Sequence, residues 1–214
     1  MKTANPALKT DPLKVTTPVK ELLRAHSRNL GEARDELLHV SGVLRDDVTS
    51  LLDAFNEDWS IQPMRRALVR ASWAHIEGTV FAVKRLLLRA CDLGGVDLSA
   101  RDREFLSELL IIVDSAGNAK LESKWFDTLS NIKRTFKLAA SRFDLDWRPD
   151  FGTGGWEQLT QLLHIRHRLT HPKSVKQLDV KDSEAKIYRE AFAFVGVFNE
   201  FQSSMLRRYN TPQT

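Results

Sequence analysis

A single cysteine, Cys91, is the only thiol in the 214-residue chain. An internal disulfide is therefore excluded, and a reducing, cytoplasmic setting is the simplest expectation. Cys91 sits in an apolar, basic stretch with no positioned base beside it, so thiol catalysis is not expected either. Long apolar runs are missing: nothing approaches the roughly 18 consecutive residues of a membrane span. The opening stretch MKTANPALKTDPLKVTTP is polar and proline-bearing. It has no apolar core of the signal-peptide kind. Segments with the alternating period of a half-buried strand are scarce, and only Val175 to Val180 reads as briefly extended. Internal repeats and low-complexity tracts are absent. The glycine-rich GTGG at Gly152 to Gly155 lacks the lysine and hydroxyl residue of a phosphate-binding P-loop. It reads as a loop that lets Trp156 pack.

What remains is helical. Hydrophobic residues make up 42% and charged residues 28% of the chain, the balance of a soluble globular protein. Thr17-Pro18 opens the first helical stretch. Leu30, Ala33, Leu37, Leu44, Val48, Leu51 and Phe55 then recur at helical spacing, with a bend or break expected near Ser41-Gly42. Pro63 opens the longest helix, which Gly94-Gly95 stops near Leu93. Ser99 caps another, with Asp102 in its first turn and its end expected near Asp114. Phe126 to Phe143 forms the next. Trp156 starts a helix that Pro172 ends, and Asp182 or Ser183 caps a last one carrying Ile187, Ala191, Phe194, Phe198, Phe201 and Met205. The expectation is all-α: a single helical bundle of about six or seven helices over residues 17–208, with flexible tails at 1–16 and 209–214. Of the five tryptophans, Trp59, Trp73, Trp125 and Trp156 read as core or loop anchors, and Trp147 as the exposed one.

Against this ordinary background one stretch stands out. HIRHRLTHPK, His164 to Lys173, holds three histidines and two arginines with no acid among ten residues. From Gln158 to Lys176 there is no carboxylate, although like charges three and four apart repel on a helix. The net charge of +4 permits a polyanionic partner without requiring one. Arg166 and Arg168 suit bidentate contact with phosphate oxygens, and Lys173 and Lys176 add point charges. A second run, Lys133, Arg134, Lys137 and Arg142, extends that footprint or else forms the solvated face of an amphipathic helix. On an ideal helix His164, His167 and His171 fall at roughly 0°, 300° and 340°, and Arg166 lies about 140° from His171. Pro172 biases His171 out of the helix, which frees it to turn toward Arg166. The negative end of the helix dipole favours a protonated imidazole there, while the neighbouring guanidiniums oppose it; such a balance suits proton transfer.

Arg166, four intervening residues and His171 make the spacing that marks the HEPN superfamily, which this stretch resembles. In that family the position after the arginine is usually polar, and here it is His167. SWAHIEGTVFAVKRLLL, Ser72 to Leu88, is similar to the family's aromatic-then-acidic helix beside the motif. Glu77 would be the acid that bonds the motif arginine or histidine. The resemblance implies a metal-independent endoribonuclease without a cofactor. In it the ribose 2′-hydroxyl attacks the adjacent phosphate and leaves a 2′,3′-cyclic phosphate and a 5′-hydroxyl. Arg166 would hold the phosphate, His171 would act as general acid or base, and His167 would orient them. Arg168, Lys173 and Lys176 would bind RNA. The resemblance also implies a homodimer with a composite active site, and a toxin or phage-defence setting with a cognate antitoxin or regulatory protein as partner.

Three alternatives stay open. The family includes members without catalysis that bind RNA or protein. Arg166 bridged to Glu77, with His171 capping carbonyls, would make the cluster purely structural. The His164, His167 and His171 face, completed by Glu77 or His75, is a candidate metal site, opposed by the flanking arginines. Gly78, inside an apolar helix next to Glu77, points to close helix packing.

Overall fold

The computed structural model describes residues 17–55, 60–113, 115–124, 126–147, 150–152, 154–184, 196, 198–205 and 207. The two tails, the cap side chain of Thr17, positions Ile187, Ala191 and Phe194, and Trp59 and Trp125 lie outside what is described. The protein is an all-α domain: α1 (Thr17–Phe55), α2 (Gln62–Asp92), α3 (Ala100–Ser107), α4 (Thr128–Arg142), α5 (Gly154–Thr170), a 3-10 turn (Val175–Leu178) and α6 (198–205). Among the described residues one antiparallel hairpin, β1 (Leu109–Val113) with β2 (Ala119–Ser123), interrupts the helices.

α2 is the centre. Its buried side chains, from Leu68, Trp73 and Ile76 to Val80, Val83 and Leu87, cover a broad face, while Arg70, Ala74, Glu77, Phe81, Arg85 and Arg89 line an exposed stripe opposite. That width is what a helix packed against several others requires, with one side left to solvent. The turn after it meets the sequence expectation closely. Gly94 takes φ +74°, its N–H donates to the Cys91 carbonyl at 2.9 Å and the Gly95 N–H to Ala90 at 2.8 Å. This is the glycine-terminated cap in which a left-handed residue returns two N–H groups to the last turn.

α1 runs beside α2 without the expected break at Ser41-Gly42. The Ser41 hydroxyl bonds back to the Leu37 carbonyl at 2.8 Å, inside the helix, and the side chain is buried. Close packing was expected at Gly78, and it is there: an added Cβ would come within 2.4 Å of Leu44 Cδ1 on α1.

Between Ser99 and Ser123 the chain departs from expectation. Ser99 does cap α3, accepting from the Asp102 N–H at 3.1 Å. The helix ends at Ser107 rather than near Asp114, because Glu108 turns left-handed at φ 57°. LLIIV then forms a strand, paired residue by residue from Leu109 with Ser123 to Val113 with Ala119. Five apolar residues in a row carry no period, so only their β-rich composition marks them. Val175 to Leu178 is the opposite case, a 3-10 turn where an extended segment was expected.

α4, capped by Asp127, closes the core. Phe136 stacks on Phe198 of α6 at 4.4 Å between centroids and meets Phe201 edge-on at 5.0 Å. Trp147, expected to be exposed, lies only 4.9 Å from the Phe201 ring and packs with it. A loop tryptophan beside an aromatic cluster gains more from burial than from water.

Candidate functional site

Burial of Leu162, Ile165 and Leu169 sets the roll of α5. The residues between them in HIRHRLTHPK then take different surroundings. Arg166 is half-buried and lines a cleft of about 300 Å³ together with Glu77, Phe81, Glu108, Lys124 and Asn131. Its Nη2 stands 3.4 Å from Glu77 Oε1 and 3.5 Å from Oε2. The acid missing from the stretch is thus supplied by α2, 89 residues away. A pair this long and this exposed contributes little stability. It leaves the guanidinium free to exchange partners.

Arg168 is held far more firmly. Its two terminal nitrogens reach the Glu184 carboxylate at 3.0 and 2.9 Å, and Nη2 also donates to the Asp179 carbonyl at 3.0 Å. Glu184 Oε2 in turn accepts from the Lys181 N–H at 2.9 Å, capping the helical turn that begins at residue 182. The turn starts at residue 182, so Lys181 rather than Asp182 or Ser183 precedes it. Arg168 therefore fastens the chain beyond Pro172 to α5.

Three arginines that sequence reasoning missed do the same from α2. Arg65, buried at 8% exposure, donates to the Val180 carbonyl at 2.6 Å and pairs with Asp182 at 2.5 Å. Arg66 donates to the Leu178 carbonyl at 3.3 Å and Arg70 to that of Leu169 at 3.1 Å. Gln62 completes the seam with two bonds to Val180, at 3.0 and 2.9 Å. The only signal in the sequence was MRRALVR at the start of a helix, which reads equally as a solvated face.

Tied at both ends, residues 171–176 stand out from the surface. His171, Lys173, Lys176 and Val175 are exposed. His171 still donates its backbone N–H to the His167 carbonyl at 2.9 Å, one residue past the end of α5. Among the described residues no hydrogen bond or ion pair engages the side chain of His171, Lys173 or Lys176, and none joins Arg166 to His171. His167 is exposed and close enough to Asp127 to add its charge there. Bonds from Ser130, with that charge behind them, hold the Asp127 carboxyl below the usual carboxylate range. His164 is exposed, and His75 is buried on α2. Among the described residues no three His, Cys, Asp or Glu side chains gather as a metal site.

Behind Glu108, which lines the cleft, lies a second charged set. Lys84 is 1% exposed. Its Nζ lies 2.7 Å from Glu108 Oε1 and 4.2 Å from the Phe105 ring centre. Burial lowers its pKa, and the bond to Glu108 opposes that shift. Asn131 Nδ2 reaches the same Glu108 oxygen at 3.5 Å, while its Oδ1 is buried without a partner. The second basic run divides in two. Arg134 and Arg142 both bond Asp102 at 3.3 Å, whereas Lys133 lies 4.4 Å from the Trp156 ring centre. Burial works against the Asp102 charge, but bonds from Ser99, Arg134 and Arg142 together hold its carboxyl low. Among the described residues no helix is long and apolar enough to cross a membrane.

No family model matches the chain, and neither the curated proteins nor the solved structures return a match.

Proposed function

We propose that the protein is a metal-independent endoribonuclease of the HEPN type, working in the cytoplasm. The observation that carries this reading is the state of Arg166. It lines the cleft in a loose pair with Glu77, on the last turns of α5 beside the exposed His167, with the exposed His171 one residue beyond the helix end. A phosphodiester entering the cleft offers Arg166 two oxygens in the geometry a guanidinium prefers, a better partner than Glu77 at 3.4 Å.

The ribose 2′-oxygen loses its proton to a base and bonds to phosphorus, and the bond from phosphorus to the 5′-oxygen breaks. That oxygen takes up a proton, leaving a 2′,3′-cyclic phosphate and a 5′-hydroxyl. Arg166 stabilises the charge on the non-bridging oxygens. His171 moves a proton, and His167 orients it. One histidine does not serve both ends of this reaction, so in this reading two copies combine their motifs. Lys173 and Lys176 add positive potential along the RNA. Arg168, with its charge taken up by Glu184, acts on the RNA only by holding the loop that carries them. A toxin of this kind would be held in check by a cognate antitoxin.

The second reading, a silent module that binds RNA or protein, draws on the Arg166–Glu77 pair itself, because a permanent bridge would leave no catalyst. His171→Ala separates the two. The ribonuclease loses at least about a hundredfold in turnover while keeping most of its RNA affinity. The module has no turnover to lose. Persistence of cleavage in both Arg166→Ala and His171→Ala would contradict the proposal.

A further inference from the structure

The hairpin is the part of the fold that the helices do not explain. A two-stranded sheet is marginal by itself in water. This one keeps Leu109 and Ile112 at 39% and 41% exposure and Leu121 at 63%. All five residues of β2 are exposed. The Lys124 N–H donates to the Glu108 carbonyl at 2.8 Å, which makes Glu108 and Lys124 a hydrogen-bonded pair of the ladder. Counting by twos, Glu122 and Lys120 also bond to β1. The N–H and C=O groups of Ala119, Leu121 and Ser123 then point away from it. Among the described residues these outward groups bond to no other element.

We propose that this outer edge of β2 is an interface with a second copy of the chain, the two β2 strands pairing antiparallel about a twofold axis through Leu121. The sequence AKLES is self-complementary in that register. Leu121 faces the partner's Leu121 and exchanges both backbone bonds with it. Lys120 faces the partner's Glu122, twice over, at the non-hydrogen-bonded positions where opposite side chains come closest, about 4.5 Å between Cα atoms. Sliding by one step of the ladder in either direction sets Lys120 against Lys120 or Glu122 against Glu122. Charge therefore selects the central register from its neighbours. Pairing makes four strands from two marginal pairs and covers Leu121 from both sides.

The place matters as well as the pairing. Glu108 and Lys124, at the base of the hairpin, line the cleft that holds Arg166. The axis lies three residues from Lys124, about 10 Å along the strand. Each cleft therefore opens beside the interface. The inference stands on the hairpin alone and does not rest on the ribonuclease reading.

Sedimentation velocity across a range of protein concentrations tests it. The natural chain is expected to show a monomer–dimer equilibrium. Lys120→Glu alone places two glutamates opposite each other at both ends of the pair, and Glu122→Lys alone places two lysines. Each is expected to weaken association about tenfold or more. A 1:1 mixture of the two variants restores opposite charges at both positions, so it is expected to dimerise as the natural chain does. A variant that merely misfolds is not rescued by mixing. A natural chain that stays monomeric, as it would if a strand from another protein were the true occupant, overturns the proposal. So does a dimer indifferent to both substitutions, or a mixture that stays dissociated. RNA cleavage is read in a separate assay, so either idea can fail without the other.

Discussion

Arg166, Arg168 and Arg65 carry the same charge on neighbouring ground and take three different roles: a loose partner of Glu77, a bidentate tie to Glu184 and a buried clamp on Val180 and Asp182. What separates them is the distance to the acid each one meets and the burial of the guanidinium itself. The cluster itself was legible as a run of bases without acids. Its partners were not, because Glu77 lies 89 residues from Arg166 along the chain and spacing arguments stop at a few helical turns. Lys84 and Glu108 went unseen for the same reason. Their pair makes an asymmetric prediction. Glu108→Gln strands a buried ammonium and should cost roughly 1–3 kcal/mol, less than in a fully buried pair because water reaches Glu108. Lys84→Met removes the charge along with its need for a partner and should stay within about 1 kcal/mol of the natural protein. Urea denaturation of both variants checks it; equal losses would contradict it. His75 makes a pH prediction. Burial, helped by the nearby Arg45 charge, holds its imidazole below the ordinary value of 6.5. The unfolded chain therefore binds the proton more readily, and the stability His75 contributes is whole above about pH 6.5 and drains away below it, by at most about 1.4 kcal/mol per pH unit. Melting curves between pH 7.5 and 5.5 should fall less steeply for His75→Leu than for the natural chain.

At the level of elements, helix ends were easier to foresee than what lay between them. Gly94 and Ser99 announce a stop and a start through backbone chemistry that acts within three or four residues. The hairpin had no such signal, since LLIIV lacks a period and Glu108 is an unexpected residue to take φ 57°. At Ser41-Gly42 the helix runs on without a break, because tertiary packing of α1 along α2 overrides a weak local preference. Gly78 was read correctly as a close approach, and its contact with Leu44 supports a graded test. Gly78→Ala gains about 1 kcal/mol of helix propensity and asks only that the end of the Leu44 side chain turn aside, so its melting temperature should change little. Gly78→Leu has no such relief and should lose roughly 1–3 kcal/mol. Adding Leu44→Ala should return part of that loss, and no recovery would mean that α1 and α2 do not meet there.

Over the whole molecule, α2 joins the parts that matter. It packs along α1, meets α3, α4 and α5, carries Glu77 to the cleft, and anchors the segment after Pro172 through Arg65, Arg66 and Arg70. The exposed loop with His171, Lys173 and Lys176 is therefore presented from a firm base rather than left as a loose tail. The all-α class followed from periodicity summed over long windows, which averages out local errors. Where charges would gather in space did not follow, because that depends on how the helices are rolled. What this arrangement does to RNA is read from the ends of the products. A short RNA is incubated with the protein in EDTA beside the same RNA carrying 2′-O-methyl groups, and the product ends are weighed by mass spectrometry. The natural RNA is expected to be cut to 2′,3′-cyclic phosphate and 5′-hydroxyl ends despite chelation, and the methylated RNA to stay whole. Cleavage of both RNAs, or cleavage that stops with EDTA, would contradict the proposed mechanism.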